Sequence, residues 1–114
     1  MIIETLAAQD LEQLKRDALA ACLGLREITC QCKTCLIRFS INEFDWNPID
    51  DLNHTWKLVK VLELFGYPSY YWDGILYTAE FWDGDQEIKI KMNGLTFQQA
   101  MCNVIVQYWR VRND

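Results

Sequence analysis

From Thr5 to Leu23 the apolar residues Leu6, Leu11, Leu14, Ala18, Leu19 and Cys22 recur at spacings that build one helical stripe. Glu12, Lys15, Arg16 and Asp17 fall on the opposite side, so an amphipathic helix is predicted, with Gly24 placed as its C-terminal stop. The segment Leu36-Ile37-Arg38-Phe39-Ser40-Ile41 alternates, which suits a short strand or an extended crossing segment. Phe44-Asp45-Trp46-Asn47-Pro48-Ile49 reads as a loop with aromatic anchors, because a proline keeps the residue before it out of helical geometry. Asp50 or Asp51 can then cap a second helix, whose stripe of Leu52, Trp56, Val59, Leu62 and Phe65 ends at Gly66.

After Tyr67-Pro68 the period changes from helical to alternating. Tyr70–Trp72, Ile75–Trp82 and Glu87–Met92 read as three strands, separated by the hairpin signals Asp73-Gly74 and Asp83-Gly84-Asp85. In the third, Ile88, Ile90 and Met92 point one way and Glu87, Lys89 and Lys91 the other, so part of the sheet should face water. The second is apolar on both sides, as a central strand would be. Asn93-Gly94 closes the sheet, and Thr96 with Gln99 forms a capping box for a last helix with a stripe of Phe97, Met101, Val104, Ile105, Tyr108 and Val111. The order α-α-β-β-β-α predicts a single α+β domain over residues 1–114, with helices packed on a three-stranded antiparallel meander.

Composition narrows the setting. With 114 residues, 51% of them apolar, the chain can bury a core without metals or cross-links. No apolar run approaches the roughly 18 residues that span a bilayer, and Met1-Ile2-Ile3-Glu4 lacks the basic flank and long apolar stretch of a secretory signal, so a cytoplasmic protein without membrane contact is expected. Eleven basic against sixteen acidic residues give a net charge of -5, which argues against direct DNA or RNA binding. Five cysteines without an export signal read as reduced thiols.

Candidate chemistry is sparse. Cys30, Cys32 and Cys35, with Cys22 as a fourth donor, would offer zinc the soft thiolates it prefers, but the spacing lacks two separated ligand pairs and Cys22 falls in the first helix stripe. No cofactor is therefore expected. Cys102 fits a small core residue. His54 is the only histidine and has no evident catalytic companion, and no phosphate-cradling loop or nucleophile motif occurs, so the chain is read as a non-enzyme. What stands out is the aromatic content. Trp46, Trp56, Tyr70, Tyr71, Trp72, Tyr77 and Trp82 can stack a nucleobase or anchor a protein, and Lys57 beside them can neutralise a phosphate, as can Lys60, Lys89 and Lys91. Any single ring is better explained as lining the core or a sheet face, although so small a sheet cannot hide them all.

The stretch Trp46-Asn47-Pro48-Ile49-Asp50-Asp51-Leu52-Asn53-His54-Thr55-Trp56-Lys57-Leu58-Val59 resembles the phage ABA sandwich domain proteins. Ala20-Ala21-Cys22-Leu23-Gly24-Leu25-Arg26-Glu27 and Leu95-Thr96-Phe97-Gln98-Gln99-Ala100-Met101-Cys102 fit the same pattern, whereas the cysteine cluster does not. The resemblance implies a helix-sheet-helix sandwich and a phage or prophage origin, and it carries no catalytic residues. Small accessory proteins of that kind suggest counter-defence: sequestration of a small nucleotide messenger, or inhibition of a host defence protein through an acidic and aromatic surface. A zinc-stabilised structural module is the third reading. A homo-oligomer would cover an edge strand and surplus rings.

Overall fold

The computed structural model describes residues 2–28 and 41–113. Its elements are α1 (Ile2–Ala7), α2 (Leu11–Glu27), α3 (Leu52–Glu63), β1 (Tyr67–Trp72), β2 (Tyr77–Asp83), β3 (Ile88–Gly94) and α4 (Phe97–Arg112). The strands pair antiparallel in the order β1-β2-β3, so the α+β class and the three-stranded meander are as the sequence predicts. Cys30, Cys32, Cys35 and nearly all of the strand expected over Leu36–Ile41 lie outside the described residues.

The first predicted helix divides in two. The Asp10 carboxylate accepts the Gln13 N–H at 3.1 Å and starts α2 afresh, while the side chain of Gln9 reaches across to Asn103 at 2.7 Å. The helix also does not stop at Gly24; it runs through to Glu27. A Cβ at position 24 would stand 2.4 Å from the Trp109 indole, so this glycine admits a ring from α4 rather than ending a helix. Gly66 has a comparable reason: a Cβ there would meet the Trp82 carbonyl at 2.0 Å.

Helix α4 is the centre of the molecule. One side packs on β2 and β3, and α2 covers the other, with α3 alongside. Every residue from Gln99 to Val106 is accordingly buried, which a single apolar stripe does not anticipate. Thr96 caps the helix by accepting the Gln99 N–H at 3.1 Å. The Gln99 side chain does not return to Thr96: its oxygen accepts the Leu95 N–H at 2.6 Å, and its amide donates to the Leu6 carbonyl at 3.0 Å. It therefore ties α1 to α4.

Helix α3 begins at Asp51, whose carboxylate accepts the Asn53 N–H at 2.9 Å. Its buried face is Thr55, Leu58, Val59, Val61 and Leu62, so the predicted stripe is rotated and Leu52 and Trp56 lie at the solvent border, 46% and 39% exposed. Thr55 can sit inside because its hydroxyl donates to the Pro48 carbonyl at 2.7 Å.

Alternation divides the sheet. Tyr77, Ala79, Phe81 and Asp83 of β2 turn towards the helices with Ile88, Ile90 and Met92 of β3. Thr78, Glu80 and Trp82 turn away; of these Thr78 is buried and Trp82 exposed, so the outward side of the central strand is mixed and not continuously apolar. Both turns are set by aspartates. Asp73 accepts the N–H groups of Leu76 at 2.8 Å and Ile75 at 2.9 Å, bonds that hold its carboxyl below the usual carboxylate range. Asp83 accepts those of Asp85 and Gln86 at 3.0 and 3.1 Å. Among the described residues no helix is long and apolar enough to cross a membrane.

Two predictions follow from this packing. Gly24→Ala should lower the melting temperature despite alanine's better helix propensity, because the Trp109 clash, of the order of 1–3 kcal/mol for overpacking, outweighs a gain of about 1 kcal/mol. Adding Trp109→Leu should recover part of that loss, as a double-mutant cycle would show. The second concerns the buried thiols. Burial, and next the neighbouring Cys102, holds Cys22 above its ordinary 9.0, and burial pushes Cys102 up to about 12. Unfolded thiols ionise from about pH 9, so the stability these groups contribute is complete below that value and is lost as the pH rises towards about 12. Urea midpoints followed across this range should fall more steeply for the native chain than for a Cys22→Ala, Cys102→Ala variant.

Candidate functional site: an aromatic corner beside unpaired lysines

Helix α3 leads through Gly66 directly into β1, which places Trp56 beside Tyr70. Trp56, Tyr70 and Phe97, the last from the first turn of α4, form a ring cluster with centroids 4.5 Å apart for Tyr70–Phe97, 5.2 Å for Trp56–Phe97 and 6.4 Å for Trp56–Tyr70. Tyr70 is 51% exposed and Trp56 39%, so the rings brace one another yet keep open faces. Trp72 lies two residues beyond Tyr70 on the same side of β1 and packs on Tyr77 with centroids 4.8 Å apart.

Lys60 follows Trp56 by four residues and so shares its side of α3. Lys57 is exposed too, but its side chain leaves the helix about 100° further round from Trp56. Neither lysine has an ion pair among the described residues, whereas Lys15, Arg110 and Arg112 each face a carboxylate. The corner thus offers flat apolar rings with the exposed ammonium group of Lys60 on the same side of α3. Such a surface can hold a planar or apolar group that carries negative charge, without forming or breaking a bond.

The other aromatic candidates are elsewhere. Trp46 is buried in the core and stacks on His54, the centroids 5.6 Å apart and the planes 8° from parallel, so it is not available to a ligand. Its burial follows from the Asn47-Pro48 turn, in which His54 Nδ1 accepts the Asn47 N–H at 2.9 Å. His54 Nε2 stands 3.6 Å from the Asp51 carboxylate, and the only histidine is thereby occupied in holding this loop against α3. Tyr71 and Trp82 lie on the far side of the sheet, each 44% exposed, in company with Tyr67, Lys89 and Lys91. Phe97 was missed as a site residue because its place in the helical stripe reads as core. Of the lysines named from the sequence, Lys60 is the one that shares the side of α3 with Trp56.

A second polar cluster has the burial of an active site but a structural role. The Tyr108 hydroxyl donates to Asp83, and Arg112 donates to Asp83 at 3.3 Å and to the Tyr108 oxygen at 2.9 Å. The guanidinium also lies over the Phe65 ring, 4.9 Å from its centroid. Burial, then the Asp83 hydrogen bond, raises the Tyr108 phenol, and Arg112 partly offsets this. All acceptor positions are filled by the hairpin turn and α4, which fastens one end of the sheet to the helix. Among the described residues no group of acidic, histidine or cysteine side chains could hold a metal ion. No protein-family model, curated protein or solved structure matches the chain.

Asp83→Ala should therefore destabilise the fold strongly, by about 3–5 kcal/mol, because it strands Arg112 and the turn amides as well as removing the carboxylate. Urea denaturation measures this loss.

Proposed function

We propose that the chain is a non-catalytic binding protein of a phage or prophage and that it captures an anionic aromatic ligand, a small nucleotide signal, at the corner of Trp56, Tyr70 and Phe97. The observation that carries the reading is the conjunction of half-exposed, mutually braced rings with the unpaired Lys60 on the same side of α3. A base stacks on the rings and the phosphates lie towards Lys60 and Lys57. Sequestration of this kind blunts a host response without turnover and places the protein in the host cytoplasm. The phage origin rests on the resemblance around Trp46–Val59. Because the corner is open, a second copy of the chain would supply the cover that a small ligand needs.

Inhibition of a host defence protein is the second reading, and one observation favours it. Tyr67, Tyr71 and Trp82 form another open aromatic surface on the opposite side of the sheet, and exposed tryptophan and tyrosine are the side chains that most often anchor protein interfaces.

A thermal-shift panel of cyclic dinucleotides and ADP-ribose derivatives separates the two. The nucleotide reading expects a rise in melting temperature for at least one compound, lost in Trp56→Ala and in Lys60→Glu and retained in Trp82→Ala. No shift with any compound, or a shift that survives both substitutions at the corner, would refute it.

A further inference from the structure

The outer edge of β3 carries an inference that is independent of the aromatic corner. The Asp73 N–H donates to the Leu76 carbonyl at 3.1 Å and opens the β1–β2 ladder. Backbone groups of successive residues face opposite edges, so on β2 it is Thr78, Glu80 and Trp82 that bond to β1. Pro68 agrees: it lacks an N–H and falls opposite Phe81, at a position that needs none. Carried across β2, the alternation leaves Ile88, Ile90 and Met92 bonded inward and turns the backbone of Lys89, Lys91 and Asn93 off the sheet.

Asn93 confirms the direction. Its carbonyl is taken by the Asn103 side chain at 3.1 Å, which does there what another strand would do. No described residue does the same for Lys89 or Lys91. Beside the Lys91–Asn93 end of this edge lies a cleft of about 430 Å³ between β3 and α1, lined on its other side by Ile2, Thr5, Leu6 and Gln9 and closed by Asn103. Its volume is that of an ordinary ligand pocket.

We infer that the β3 edge is a docking site for an extended peptide segment of a partner protein, one that alternates apolar and acidic residues and adds as a fourth strand. Its backbone bonds to the open groups of Lys89 and Lys91. Residues of the added strand that face the helices enter the cleft beside Leu6, Ile2 and Met92. The alternate residues face outwards beside the side chains of Lys89, which has no ion pair among the described residues, and Lys91, 59% exposed and only 3.9 Å from Glu80 at its nearest. The same lysines argue against a second copy, because β3 pairing with itself would set like charges beside each other across the new ladder.

The test selects ligands for the full chain from a displayed library of random peptides about eight residues long, the span of an ordinary strand. Enriched sequences should alternate apolar and acidic residues and should lose affinity by about tenfold or more against a Lys89→Glu, Lys91→Glu variant that retains the native circular dichroism. The best synthetic peptide should also slow amide hydrogen exchange at Lys89 and Lys91 in the native chain. Failure to enrich, sequences without alternation, binding indifferent to the charge reversal, or protection confined to β1 would each overturn the inference. So would concentration-dependent dimerisation that protects Lys89 and Lys91 without any peptide, since the edge would then belong to a second copy.

Discussion

Helix α4 has no solvent side along the stretch from Gln99 to Val106, and the rest of the architecture answers to that constraint. A helix covered all round needs two layers against it, and here the sheet supplies one and α2 the other. Small residues make the second contact close: Ala18, Ala21 and Cys22 of α2, Cys102 of α4, and the missing Cβ of Gly24 beneath Trp109. Burial on all sides also traps two carboxamides. An unpaired buried amide costs about 1–3 kcal/mol, which gives a physical reason for Gln9 to leave the helical path and pair with Gln99 and Asn103 at 2.9 and 2.7 Å. The break between α1 and α2 is thus a consequence of satisfying α4.

The same constraint decides what remains outside. Helices α3 and α4 cover one face of a three-stranded sheet, and no helix among the described residues covers the other. So small a sheet cannot bury all its rings against one helical layer. Those left over gather at the border of α3 with β1 and on the outer face around Trp82. The two groups differ in surroundings. At the corner, rings pack on rings and lysines come from a helix; on the outer face, Trp82 has Tyr67 opposite it on one side and Lys89 on the other.

Features fixed by neighbours in sequence were legible without coordinates. Alternation over residues 77–92 and the aspartates at both turns define the meander, because a period of two and a side chain that bonds its own backbone are local properties. The caps at Asp51 and Thr96 were readable for the same reason. Features that depend on a distant partner were not. Gly24 has the same sequence signature as a helix stop whether or not Trp109 lies above it. Trp46 looked like an exposed anchor until His54 closed over it, and the true inward face of α3 depends on where β1 and α4 sit. The corner itself was half legible: Trp56, Tyr70, Trp72 and Tyr77 were named from composition, but Phe97 joins them only through the start of α4.

Both proposed surfaces depend on strand register, which is fixed far from either of them. A slip of one residue in β2 would exchange Phe81 with Trp82, putting an indole into the space beside Tyr108 and a phenyl ring into water. A slip of β3 itself by one residue would reverse which of its residues offer their backbone to the open edge. Asp83 opposes a slip of β2, because its carboxylate is held at once by the turn amides of Asp85 and Gln86 and by Tyr108 and Arg112 of α4. Moving the strand by one residue would turn the Asp83 carboxylate to the outer face of the sheet, take it from Tyr108 and Arg112, and leave the Arg112 guanidinium without its carboxylate. The residue that preserves both binding surfaces is therefore one that neither partner touches.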